Sequence, residues 1–125
     1  MKNALVILAG GKGKRFGQKI PKQFLKIGNT NFLDYFISNL DITSFDIINI
    51  CIDKKYQKIC LNDKVISKKI KITYSKPGLT RQISSFNALK NLKKFKIKNV
   101  LIHDAARPLC SNKLIKKIIS KLDKN

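Results

Sequence analysis

Gly10, Gly11 and Gly13 are interleaved with Lys12, Lys14 and Arg15, and Lys19 and Lys22 follow within the next turn or two of chain. A turn built from glycines leaves its backbone amides open to an anion, and the neighbouring cations supply the opposite charge. That chemistry suits a polyphosphate. Two further polar groups stand far away in sequence: Gly78, Arg81 and Ser84, then His103 and Asp104. A carboxylate that follows an apolar strand into a phosphate crevice is the kind of oxygen ligand that Mg2+ takes while keeping several waters. His103 is the single histidine of the chain, and at a strand end it reads more readily as a hydrogen-bonding residue than as a catalyst. With no nucleophile set beside a base, the inventory fits phosphoryl or nucleotidyl transfer. There the protein positions groups and neutralises charge and need supply no covalent chemistry.

The glycine spacing excludes the two best-known phosphate loops. A P-loop requires Gly-Lys followed by Ser or Thr. Here Gly11-Lys12 is followed by Gly13, and Gly13-Lys14 by Arg15. The dinucleotide fingerprint requires a third glycine three residues after the second; that place is Phe16, and Gly17 comes one residue late. What remains is a glycine turn with an arginine, then Pro21-Lys22, where Pro21 keeps Ile20 extended and gives Lys22 a fixed path.

The elements that must position these groups alternate. An apolar run over residues 3–8 predicts a first strand, and residues 46–52 a second, β-branched one. Residues 69–74 and 99–102 predict strands three and four. Helices are expected from a cap at Asn31 through Leu40, over residues 54–67, from Leu79 or Thr80 through Leu92, and from a cap at Ser111 through Leu122. The third helix is expected to pack through Ile83, Phe86, Ala88, Leu89 and Leu92. Alternation of this kind implies a mostly parallel, Rossmann-like sheet with helices on both faces, a three-layer α/β/α arrangement. Ligands of such sheets sit at the carboxyl ends of the strands. The glycine loop, residues 78–84 and residues 104–108 all fall there, and that convergence points to a site more strongly than any one motif.

The chain has 125 residues, enough for one domain, and 43% of them are hydrophobic. Its net charge is +20, yet the lysines are spread along the whole length, where a nucleic-acid binder would cluster them. Cys51, Cys60 and Cys110 are odd in number and lack a C-x-x-C pair, so they read as free thiols of a reducing cytoplasm. No apolar run is long enough to span a membrane.

Four blocks carry a family resemblance: AGGKGKRFG from Ala9 to Gly17, IPKQF from Ile20 to Phe24, TRQIS from Thr80 to Ser84, and HDAARP from His103 to Pro108. In order and spacing the chain resembles 2-C-methyl-D-erythritol 4-phosphate cytidylyltransferases. The resemblance implies transfer of CMP from CTP to methylerythritol phosphate with release of pyrophosphate, in isoprenoid precursor synthesis. It implies a nucleotide site made by Ala9, Gly10, Gly11, Gly13, Gly78, Arg81, Ser84, Asp104 and Ala105. Arg15 and Lys22 match the family's two catalytic cations, Asp104 its magnesium ligand, and Arg107 a residue lining the substrate site. It also implies a homodimer, and the TRQ form is similar to versions fused to the cyclodiphosphate synthase of the pathway.

Pro77 stands where the family usually has a second glycine. Family members also continue for roughly a hundred residues beyond the length seen here, so residues 1–125 are expected to be the N-terminal, CTP-binding portion of one nucleotidyltransferase domain, without its C-terminal part. The sister ribitol-5-phosphate cytidylyltransferases usually have Val at the place of Ala106. They, or another sugar-phosphate nucleotidyltransferase, remain the alternative enzyme reading, and a basic nucleic-acid-binding module or an inactive CTP-binding remnant the alternatives of other kinds.

Overall fold

The computed structural model describes residues 3–10, 26–27, 30–31, 37, 39–40, 42–54, 70–104 and 112–124. Strand β1 spans Asn3–Leu8, β2 Lys26–Ile27, β3 Thr30–Asn31, β4 Ile47–Cys51, β5 Lys71–Ser75 and β6 Asn99–Asp104. Helix α1 spans Arg81–Leu92 and α2 Asn112–Lys124. The main sheet has the order β5-β4-β1-β6, and each of its pairings is parallel. The short β2 and β3 form a separate antiparallel ribbon. The helix expected from Lys54 lies outside the described residues beyond Lys54, as does most of the one expected to end at Leu40.

Burial explains why these strands read so clearly in sequence. A parallel sheet covered on both faces favours continuous apolar runs, and every residue of β1 from Ala4 to Leu8 is buried. Leu5, Ile7, Ile48 and Ile50 face one way, onto Ile37, Leu40, Phe45 and the α2 residues Ile115 and Ile119. Ala4, Val6, Ile47 and Cys51 face the other way, onto Ala88 and Leu92 of α1. The described residues thus form the expected three layers.

Strand starts are pinned at the edge away from the site. Asn3 N–H donates to an Asp46 carboxylate oxygen at 2.9 Å, and Asp46 N–H returns a bond to the Asn3 carbonyl at 2.9 Å. Asn99 Nδ2 donates to Asn3 Oδ1 at 3.0 Å and to Asp123 Oδ1 at 2.8 Å. The resulting register sets Leu8 opposite both Cys51 and Asp104, and Cys51 opposite Ser75. The four carboxyl ends therefore finish in one row.

Two expectations need correction. β6 runs two residues past Ile102, because β1 still offers Ile7 and Leu8 as ladder partners for His103 and Asp104. A backbone ladder is indifferent to side-chain polarity, whereas an apolar-run criterion stops at the first polar residue. The packed face of α1 is also different. Ser84, Ala88 and Leu92 are buried, while Ile83, Phe86 and Leu89 are exposed. The sheet beneath α1 carries a fully buried amide, Asn49, whose Nδ2 donates to Thr73 Oγ1 at 3.0 Å and to Asn91 Oδ1 at 3.2 Å. Ser75 Oγ donates to Asn49 Oδ1 at 2.9 Å. Buried polar groups must be paired, so the helix turns its polar and small stripe inward to meet them.

Candidate functional site

The site lies along the row of strand ends. Beyond β1, the Ala9 N–H donates to the Cys51 carbonyl at 2.8 Å, which carries the ladder one residue past the strand. Ala9 is buried and its amide is engaged there, so it aims the chain at Gly10. Gly10 then stands against the β5–α1 turn: a Cβ placed on it would collide with the ring of Pro77. Gly10 and the turn after β5 are therefore in direct contact.

Thr80 starts α1 with extended dihedrals (φ −126°, ψ 163°), and its side chain accepts from the Ile83 N–H at 3.2 Å. This is an N-cap, satisfying one of the amides that the first helical turn leaves unpaired. The turn leading into it is tied down by α1. Ser84 Oγ accepts from the Gly78 N–H at 2.9 Å, and Asn87 Nδ2 donates to the Lys76 carbonyl at 2.9 Å. Gly78 is close enough to Ile83 that a Cβ there would overlap it.

From the opposite side of the sheet order, β6 ends on Asp104. Successive side chains on a strand alternate faces, so Asp104 shares the α1 face with Ile102. Arg81 Nε lies 3.7 Å from Asp104 Oδ1, and both side chains are open to solvent, at 58% and 37%. An exposed pair of this kind is loosely held and available to a ligand. Cys51 lies beneath, its thiol donating to the Ser84 carbonyl at 3.7 Å; burial pushes its pKa up, opposed by hydrogen bonds from the Ser75 and Ser84 side chains.

Of the residues singled out in sequence, Ala9, Gly10, Gly78, Arg81, Ser84 and Asp104 gather along this edge. Gly11, Gly13, Arg15, Lys22, Ala105 and Arg107 lie outside the described residues. Sequence reading missed Asn87 and the Gly10–Pro77 contact. The spacing Ser84, Asn87, Ala88, Asn91 is itself a helical stripe, and it was the available signal for Asn87.

A parallel sheet with helices on both faces, and with Gly10, a capped helix and a carboxylate at one carboxyl edge, defines a Rossmann-like α/β fold. The family model for IspD, 2-C-methyl-D-erythritol 4-phosphate cytidylyltransferase, matches residues 3–125, and the chain belongs to that family. It is 36% identical over 126 residues to the bifunctional enzyme IspD/IspF of Pelagibacter ubique, covering 100% of this chain and 33% of that protein. To the 2-C-methyl-D-erythritol 4-phosphate cytidylyltransferase of Thermotoga neapolitana it is 37% identical over 120 residues, covering 95% of this chain and 53% of the other. Among solved structures, the 4-diphosphocytidyl-2C-methyl-D-erythritol synthase of Anaerococcus prevotii superposes with a TM-score of 0.74 at 26% identity, over 99% of this chain and 52% of that one. The chain thus spans between a third and about half of the length of these relatives.

Proposed function

We propose that the chain carries the nucleotide-binding half of a cytidylyltransferase that moves CMP from CTP to 2-C-methyl-D-erythritol 4-phosphate and releases pyrophosphate. The observation that supports this reading is the level row of strand ends, which brings Gly10, the β5–α1 turn and Asp104 to one edge of the sheet. In the reaction, a phosphate oxygen of the acceptor bonds to the α-phosphorus of CTP as the α–β bridging bond breaks. Gly10, Gly11 and Gly13 offer amides to the triphosphate. Arg15 and Lys22 face the charge that grows on the five-coordinate phosphorus and on the leaving pyrophosphate, where fixed cations act most strongly. Gly78, Arg81 and Ser84 take the cytosine and ribose, with Ala9 and Ala105 beside the nucleotide and Arg107 toward the acceptor. Ser84 Oγ accepts from the Gly78 N–H and so fixes the turn that would meet the nucleoside.

The donor set fits magnesium that arrives with the nucleotide. Among the described residues, no group of three or more His, Cys, Asp or Glu side chains could hold a metal ion. Mg2+ commonly uses one or two carboxylates and completes its shell with waters and substrate phosphates, and the solvent-facing Asp104 meets that need. Bound there, Mg2+ would neutralise charge on the triphosphate oxygens. Cytoplasmic location, homodimer assembly and fusion to a cyclodiphosphate synthase belong to the same proposal. Three of its relatives bear the name bifunctional enzyme IspD/IspF, and among the described residues no helix is long and apolar enough to cross a membrane.

Calorimetric titration of CTP with magnesium tests the assignment. Saturable binding by the parent, weakened in Arg15→Ala, Lys22→Ala and Asp104→Asn, is expected; no binding, or equal binding by all four proteins, overturns it. Pyrophosphate release on adding methylerythritol phosphate, and not on adding ribitol 5-phosphate, identifies the acceptor.

A further inference from the structure

The turn between β5 and α1 is pinned at three successive residues. Asn87 holds the Lys76 carbonyl, Ser84 holds the Gly78 amide, and the Pro77 ring between them leans on Gly10. Proline restricts its own φ and the conformation of the residue before it, so Lys76 and Pro77 have few ways to rearrange once the carbonyl is held. The helix that supplies both pins is keyed to the sheet by the hydrogen bond between Asn91 and the buried Asn49. The position of α1 over the sheet is thus passed to the turn through Asn87, one helical turn deeper than Ser84.

We propose that Asn87 is a positioning residue for the nucleoside-recognition turn: by holding the Lys76 carbonyl it keeps Pro77-Gly78 over Gly10, where the turn's backbone can read the base. The proposal rests on the reading that this turn takes the cytosine of CTP. Asn87 is itself bonded to the backbone of the turn, so its effect passes through the place of Gly78. The hydrogen bond lies at an exposed position, so water replaces it when the amide is removed. Loss of Asn87 therefore displaces the turn without leaving a buried group unpaired, and the fold stays intact.

The test uses the whole chain and two nucleotides, CTP and UTP, which share ribose and triphosphate and differ only in the base. Each is titrated calorimetrically with magnesium into the parent, Asn87→Ala and Asn87→Asp, with thermal unfolding of the same samples. Loss of one such hydrogen bond predicts about a fivefold fall in CTP affinity for Asn87→Ala. UTP affinity should change less than about twofold, since it lacks the base contacts that the turn's position serves. Asn87→Asp sets an acceptor against the carbonyl and should lower CTP affinity at least as far. An unchanged ratio of CTP to UTP affinity, whether both hold or both fall together, overturns the proposal. A parent chain that binds CTP and UTP alike, or neither, instead overturns the base-recognition assignment on which it rests.

Discussion

Replacing Gly10 with alanine places a methyl group where Pro77 already stands. An ideal Cβ on Gly10 overlaps the Pro77 Cβ and lies 3.1 Å from its Cγ and 3.7 Å from its Cα. A proline ring has no rotamer in which to retreat, and both flanks of Pro77 are held by α1 side chains. Overpacking of this kind costs about 1–3 kcal/mol, and the strain falls on the contact between the glycine loop and the turn. Urea unfolding and CTP titration of the parent, Gly10→Ala, Pro77→Gly and the double variant form a complete cycle. Pro77→Gly alone should cost about 0.4–1 kcal/mol through the freer unfolded chain. Because it removes the obstructing Cβ, the double variant should recover at least about 1 kcal/mol relative to the sum of the two single changes, beyond the scatter of independent sites. Pro77→Ala keeps that Cβ and should not rescue. Additivity within about 0.5 kcal/mol, or equal rescue by Pro77→Ala, would refute the contact between the two segments.

Ser84→Ala removes the acceptor for the Gly78 amide and should cost about 1–3 kcal/mol in unfolding free energy, as for an orphaned donor that is partly buried. Asp104→Asn should leave the unfolding midpoint nearly unchanged, because the exposed pair with Arg81 contributes under about 1 kcal/mol, while weakening CTP binding in magnesium. Cys51 gives a pH signature. Burial holds the proton on the folded thiol more firmly than on the unfolded one, so stability is intact below the thiol's ordinary pKa and falls as pH rises through the interval above it. Parent and Cys51→Ala should therefore unfold with a constant difference in free energy near neutrality, and that difference should move in favour of Cys51→Ala above the ordinary thiol range.

The strands were legible because a doubly covered parallel sheet demands runs such as Leu5-Val6-Ile7-Leu8, and β1 has the predicted bounds, Asn3–Leu8. The two extra residues of β6 were not, since His103 and Asp104 belong to the strand only through the register of β1. The orientation of α1 was read wrongly for a related reason. Apolar spacing along a helix carries no information about the polarity of the sheet beneath it. Asn49 is buried in the strand itself, and its partners Thr73, Ser75 and Asn91 come from two other elements. The site followed the same division. Gly78, Arg81, Ser84 and Asp104 were visible as residue types in motifs, whereas the pins that place them, Asn87 and the Gly10–Pro77 contact, arise only once α1 and β5 are docked.

The central claim is that the opening glycine turn, the β5–α1 turn and the end of β6 serve one nucleotide. Amide chemical-shift mapping of the 15N-labelled chain, titrated with CTP in magnesium, measures this directly. Gly10, Gly78, Ser84 and Asp104 should shift together along a single binding curve, while Asn3, Asp46 and Asn99 at the far edge of the sheet stay still. Shifts confined to one of the three segments, or spread over the lysine face of α2 and abolished by modest salt, would contradict it.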